Sequence, residues 1–230
     1  MKSIFYILAI LALVLLSLGL YEALVAAPTE LTMGNVQRIF YYHVPSAWTA
    51  FLCFIANFVA SLWYLRKRSP QVDAFALATA EVGLVFCTIV LLTGPIWAKP
   101  VWGMWWTWDA RLTSTLILWL IYASYLMLRR YGSGGQTPVL AAALSVFGFV
   151  DVIFVYMAIR WFRTQHPQPV IGGGQDSGIA APMLFTLLMN FAAFAVFGGV
   201  VIWMRYRLER GRQQFEEQQA MASLVARSNR

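Results

Sequence analysis

Residues 74–93 read Ala-Phe-Ala-Leu-Ala-Thr-Ala-Glu-Val-Gly-Leu-Val-Phe-Cys-Thr-Ile-Val-Leu-Leu-Thr, with Glu81 as the one charge. About 20 apolar residues carry an α-helix across the hydrocarbon core of a bilayer. Outward from this run, comparable ones lie at 4–27, 47–65, 112–128, 138–159 and 181–204. The 230-residue chain is 60% hydrophobic and 12% charged, whereas a soluble domain averages ~45–50% and ~25%. So few charges could not cover so much apolar side chain in water. The expected fold is an all-α integral membrane protein of six transmembrane helices, one membrane domain over 1–230. Val25-Ala26-Ala27 resembles a signal-peptide cleavage site, but the first apolar core exceeds the ~7–15 residues of such signals, and Pro28 would follow the cut. The first run is read as a true span.

The net charge of +7 could point to nucleic acid, but the cations sit in short groups between apolar runs, as membrane topology requires. With the N-terminus inside, Lys2, Arg66, Lys67, Arg68, Arg129, Arg130 and the cations of 205–230 put twelve of the 17 Lys and Arg on the inner side. Arg38, Lys99, Arg111, Arg160 and Arg163 remain outside. Both termini are therefore expected in the cytoplasm, with 205–230 forming a solvated helical tail. The inner connections, such as Arg129-Arg-Tyr-Gly-Ser-Gly-Gly-Gln-Thr137, read as turns. The outer ones are longer, aromatic, and hold both histidines.

The outer segment 94–111 contains Trp97, Trp102, Trp105, Trp106 and Trp108, half of the chain's ten tryptophans. Indoles favour the membrane border, but an aromatic belt spreads its rings over many helix ends. Concentrated here, they are expected to form a flat apolar platform rimmed by N–H donors, suited to a large planar ligand. Trp102, Trp105 and Trp106 would share one face of a helical turn.

The only histidines flank this segment. His43 follows Val36, Ile39 and Phe40 at the spacing of one apolar helix face. His166 lies in Arg160-Trp-Phe-Arg-Thr-Gln-His166, just past the fifth run. A lone interfacial histidine is most often structural. Two on one side of the membrane beside an aromatic platform match an iron porphyrin, which needs axial nitrogens and apolar faces. Zinc fits less well, for want of third and fourth ligands. The outer cations could hold the propionates, although some could mark helix ends by snorkelling. Asp109 is expected to orient an arginine or an indole rather than touch iron.

Glu22, Glu81 and Asp151 fall within apolar runs. Glu22 reads as interfacial. Glu81 and Asp151 could pair with Asn57 or Asn190, or serve a function inside the membrane. Cys53 and Cys87 lie in apolar runs without a CxxC pair and read as small hydrophobes. Gly172-Gly-Gly174 is not followed by Lys-Ser/Thr, so no Walker A loop is present. No CxxCH motif is present either, so any haem would be held without thioether bonds. No hydrolytic triad can be assembled on one side, and the chain is not expected to be an enzyme.

The stretch Thr93-Gly-Pro-Ile-Trp-Ala-Lys-Pro-Val-Trp-Gly-Met-Trp-Trp-Thr-Trp-Asp-Ala-Arg-Leu-Thr-Ser114 resembles the tryptophan-rich signature of the haem-handling family of cytochrome c assembly proteins. Phe40-Tyr-Tyr-His-Val-Pro-Ser-Ala-Trp48, the His166 segment, and the size are similar to the haem exporter protein C branch of that family. The resemblance implies that His43 and His166 are paired axial ligands of a transient, non-covalent haem b. It implies that Trp97, Trp102, Trp105, Trp106, Trp108, Asp109 and Arg111 form the haem-binding segment, with Arg38 a basic position before the first histidine. Arg38 and Arg111 would hold propionates or orient the ligand. Ala98 stands where glycine is expected, and Pro95 where a small polar residue is common; neither removes a proposed ligand.

The implied function is binding haem at the outer face of a bacterial inner membrane and presenting it to a periplasmic, membrane-anchored haem chaperone in cytochrome c biogenesis. The implied partners include a two-subunit ABC transporter and a small single-span accessory protein. Two rival readings are a b-type membrane cytochrome in electron transfer and a transporter subunit with a midplane site. The first holds haem between histidines inside the helices, and here neither histidine is expected within a span.

Overall fold

Six α-helices carry the apolar runs: α1 (Lys2–Tyr21), α2 (Phe40–Lys67), α3 (Pro70–Trp102), α4 (Ala110–Tyr131), α5 (Thr137–Trp161) and α6 (Ala181–Ser228). The computed structural model describes residues 2–169, 171 and 178–228; Gly172–Gly174 and Arg230 lie outside the described residues. Each apolar run belongs to a helix long and apolar enough to cross a membrane. Helices α1 and α6, α2 and α3, and α3 and α4 pack antiparallel. Phe5 meets Trp203 while Gly19 meets Asn190; His43 meets Thr93 while Asn57 meets Ala76; and Trp119 meets Thr88 while Arg129 meets Asp73. The alternation gives the bundle a Trp-rich end and an Arg-rich end.

At the Trp-rich end, two helices run well past their apolar stretches. Helix α2 begins at Phe40, seven residues before its apolar run at 47–65, and so carries His43. Helix α3 continues through Pro95 and Pro100 to Trp102, where the sequence places a loop from residue 94. A proline removes one i→i−4 bond and crowds the carbonyl four residues back, but transmembrane helices tolerate this where neighbours compensate. Ala98, between the two prolines, is buried. The helix stops at Gly103, whose φ of 77° is left-handed and whose N–H bonds the Lys99 carbonyl at 3.0 Å. That is a glycine's usual place after a helix. The Lys99 ammonium in turn donates to the Gly103 carbonyl at 2.9 Å.

In the bundle interior, Phe54 stacks on Tyr122 with centroids 3.9 Å apart, and Phe58 on Phe149 at 4.0 Å. Helices α2 and α3 pack tightly at Gly83, where an added Cβ would stand 2.7 Å from a Phe54 ring carbon and 3.0 Å from Cys53 Cβ. Gly83→Ala should therefore overpack this seam and cost about 1–3 kcal/mol, read as a lower melting temperature in detergent. An unchanged melt would mean that the seam can dilate freely. Cys53 and Cys87 are free and buried.

Ion pairs gather at the Arg-rich end. Arg129 grips Asp73 through two 2.7 Å bonds, both side chains being buried. Glu209 of α6 approaches Arg129 at 3.9 Å, and Gln213 donates to Asp73 at 3.3 Å. Glu81 pairs with Arg205 at 2.6 and 2.7 Å, and not with Asn57 or Asn190. Those asparagines instead donate to carbonyls: Asn57 to Ala76, and Asn190 to Gly19 and Thr186. Asn57 also accepts from Ser145. Asp151 pairs with neither, and its Oδ2 is buried without a partner among the described residues. Beyond Arg210 the helical tail is almost wholly exposed.

Candidate functional site

A cavity of about 450 Å³ opens at the Trp-rich end between α2, α3 and α4, within the ~300–1,000 Å³ typical of small-molecule sites. His43, Trp97, Trp102, Trp106, Arg111 and His166 line its upper part. Phe54, Cys87, Leu118 and Val155 line its floor, well inside the bundle. The two histidines, 123 positions apart in sequence, thus face one space.

Each imidazole is held by its Nδ1. His43 Nδ1 lies 2.8 Å from Thr93 Oγ1. That hydroxyl spends its proton on the Ile89 carbonyl at 2.7 Å, so it accepts from His43. His166 Nδ1 lies 2.9 Å from the Pro167 carbonyl, which can only accept. Both rings therefore carry their proton on Nδ1 and keep a lone pair on Nε2, the arrangement in which a histidine binds metal. Burial and the nearby Arg111 guanidinium push the His166 pKa down to about 4, against an upward pull from the Pro167 carbonyl. His166 is neutral at physiological pH.

The tryptophans divide into two sets. Trp97 meets the His43 ring edge-to-face at 5.7 Å and Phe40 at 6.0 Å. The indole N–H groups of Trp97 and Trp106 are buried with no hydrogen-bond partner among the described residues. Indoles that deep usually find an acceptor, so both donors suit a ligand carrying acceptor oxygens. Trp105 and Trp108 are 58% and 76% exposed and do not line the cavity. The shared helical face of Trp102, Trp105 and Trp106 does not form, because Gly103 ends the helix between them. Nor do the rings lie flat together: Trp106 and Trp108 meet at 75°, the edge-to-face geometry that the ring quadrupole favours.

The charged residues divide in the same way. Arg111 lines the cavity and, among the described residues, has no ion-pair partner. Arg38 is occupied elsewhere: its guanidinium donates to the carbonyls of Ala23 at 2.6 Å and Ala27 at 3.2 Å, closing the π-helical turn after α1. Arg160 lies over the Tyr156 ring at 4.8 Å. Asp109 orients neither an arginine nor an indole through a hydrogen bond. It caps α4 by accepting from the Leu112 amide at 2.9 Å, and its other oxygen accepts from Thr107 and from the Gln165 amide, both at 3.2 Å. It thereby ties the segment beside His166 to the end of the tryptophan segment.

Glu30, Met33, Thr93 and Gln165 were not singled out in the sequence, yet three of them line the cavity, and Thr93 holds His43. The missed signal for Thr93 was its spacing. It lies four residues before Trp97, on the same face once the helix is known to continue. The donor set fits a flat apolar ligand with a metal centre and carboxylates.

The family profile described as "Heme exporter protein C" matches residues 1–221. Proteins named "Heme exporter protein C" are similar over most of both chains. That of Bradyrhizobium diazoefficiens is 34% identical over 210 residues, 87% of this chain and 80% of its own. That of Haemophilus influenzae is 35% identical over 211 residues, 87% and 82%. That of Rhodobacter capsulatus is 32% identical over 209 residues, 89% and 86%. With the profile spanning nearly the whole sequence and relatives above 30% identity along most of their length, the chain belongs to the heme exporter protein C family.

Proposed function

We propose that this protein binds haem at the outer, periplasmic end of its bundle and presents it to a membrane-anchored haem chaperone for cytochrome c maturation. The carrying observation is the pair of histidines facing one cavity, with neither Nε2 bonded to another group among the described residues. Around them, Arg111 and the unpaired indole N–H groups of Trp97 and Trp106 suit propionates, and the apolar floor suits the macrocycle. Haem is the cargo, held without covalent bonds and passed on; the protein's own residues bind and orient it rather than convert it. The two-subunit ABC transporter and the small single-span protein are its expected partners, and the bacterial inner membrane its place.

The purified protein should carry b-type haem with a six-coordinate, low-spin spectrum, and apo-chaperone should deplete that haem. A protein free of haem, or one whose haem never exchanges, would overturn the reading; the second outcome would favour a resident electron-transfer cytochrome. Because His43 lies on a helix, exchange rather than ligand position separates these two. The transporter reading has lost one midplane candidate, since Glu81 is neutralised by Arg205. Reporter fusions at Trp102 and Ser133 should report opposite sides of the membrane, as the cation distribution requires. A same-side result would remove the outer site.

Asp109→Ala should weaken haem binding by about 10–100-fold, the usual cost of losing an outer support of a ligand. The lost helix cap should cost about 1 kcal/mol of stability. Asp109→Asn, an equally good cap, should preserve the stability. Titration of haem into the apo-variants checks both, and equal affinity for Asp109→Ala and wild type would separate this carboxylate from His166.

A further inference from the structure

We propose that Thr93 is a positioning residue for haem binding, fixing the tautomer and aim of His43. This rests on the haem reading above. His43 sits on α2 and Thr93 on α3, 50 positions apart, and their 2.8 Å bond joins the two helices inside the wall of the cavity. The relay has a direction: His43 Nδ1–H donates to Thr93 Oγ1, whose own proton goes to the Ile89 carbonyl 2.7 Å away. A hydroxyl already donating is a better acceptor, because linked hydrogen bonds polarise one another. The Ile89 carbonyl thus acts through Thr93 to hold the proton on Nδ1 and keep Nε2 unprotonated.

Geometry leaves His43 few alternatives. Trp97 closes one side of the ring at 5.7 Å, and a Cβ at Gly94 would stand 3.5 Å from its Cε1. Thr93, Gly94 and Trp97 occupy about one turn of α3, so this turn is a socket for the imidazole. The two histidines are consequently held by unlike means. His43 is pinned by a side chain from another helix, whereas His166 is pinned by the carbonyl of the next residue. His43 is the fixed ligand, and its precision depends on Thr93.

The test needs only two histidine signals. In apo-protein labelled with ¹⁵N-histidine, with His166→Ala for assignment, His43 should appear as a single Nδ1–H tautomer. Thr93→Val keeps the shape and removes the acceptor. It should give a mixture of tautomers, weaken haem binding by about 10–100-fold, and, in the five-coordinate ferrous haem of the His166→Ala background, lower the iron–imidazole stretching frequency in resonance Raman spectra. Thr93→Ser should restore all three. If Thr93→Val does not fold, Thr93→Cys, a weak acceptor of similar size, takes its place. A single unchanged tautomer, or an unchanged affinity in a folded variant, overturns the inference. Wild-type protein that shows the single tautomer but binds no haem would instead overturn the haem reading and leave the hydrogen-bond relay intact.

Discussion

His43→Ala and His166→Ala should each remove one axial nitrogen and convert a low-spin haem spectrum to a high-spin, five-coordinate one. Removing an outer support of a ligand already costs ~10–100-fold in affinity, so losing the ligand itself should cost more. The double variant should retain no haem above the background of apolar partitioning. Added imidazole should partly refill either site, and the structure separates the two cases. In His43→Ala the vacated socket still contains Thr93 Oγ1 and the Trp97 ring, so free imidazole can adopt the lost orientation. In His166→Ala nothing from another helix would orient it, because the native bond runs to the neighbouring Pro167 carbonyl. Rescue should therefore saturate at lower imidazole in His43→Ala. Titration of both variants by absorption spectroscopy checks this, and an unchanged bis-imidazole spectrum in either would remove that histidine from the assignment.

Asp73→Ala should be the most destabilising single change at the opposite end. Arg129 is buried and makes two 2.7 Å bonds to Asp73, with Glu209 more distant at 3.9 Å. Removing one partner of a buried pair leaves an uncompensated charge and costs about 3–5 kcal/mol. Replacing both, as in Asp73→Leu with Arg129→Met, should recover most of that loss, because a packed apolar pair avoids the desolvation cost. Glu81→Ala should cost less, since Arg205 is 42% exposed and can turn to water or headgroups. Thermal unfolding in detergent ranks these variants. Equal losses for Asp73→Ala and Glu81→Ala would mean that the Asp73 pair is as wet as the exposed one.

The six spans were legible because length and apolarity suffice: the bilayer demands about 20 apolar residues per crossing whatever lies beside them. The helical tail was legible too. The ends of α2 and α3 were not, because the local rule that proline breaks a helix competes with tertiary packing, and packing won at Pro95 and Pro100. That extension moved Trp97 onto a helix and brought Thr93 and Trp97 to bear on His43. It also undid the expectation for Trp102, Trp105 and Trp106, which depended on a helix that Gly103 ends.

From the residues alone came the membrane class, the concentration of indoles, and the placing of both histidines at the same end of the bundle as those indoles. All of these follow from composition and from the order of elements along the chain. Only the folded structure decided which members of that set meet. Trp97, Trp102, Trp106, Arg111, His43 and His166 share a cavity, while Trp105 and Trp108 face outward, Arg38 closes a turn, and Asp109 ties two segments together. The same holds for the partners of Glu81 and of His43. A side chain's partner depends on which helices are neighbours and on their relative rotation. Those are set by packing across the whole bundle, as at the close approach of Gly83 to Phe54, and no local window of sequence contains them.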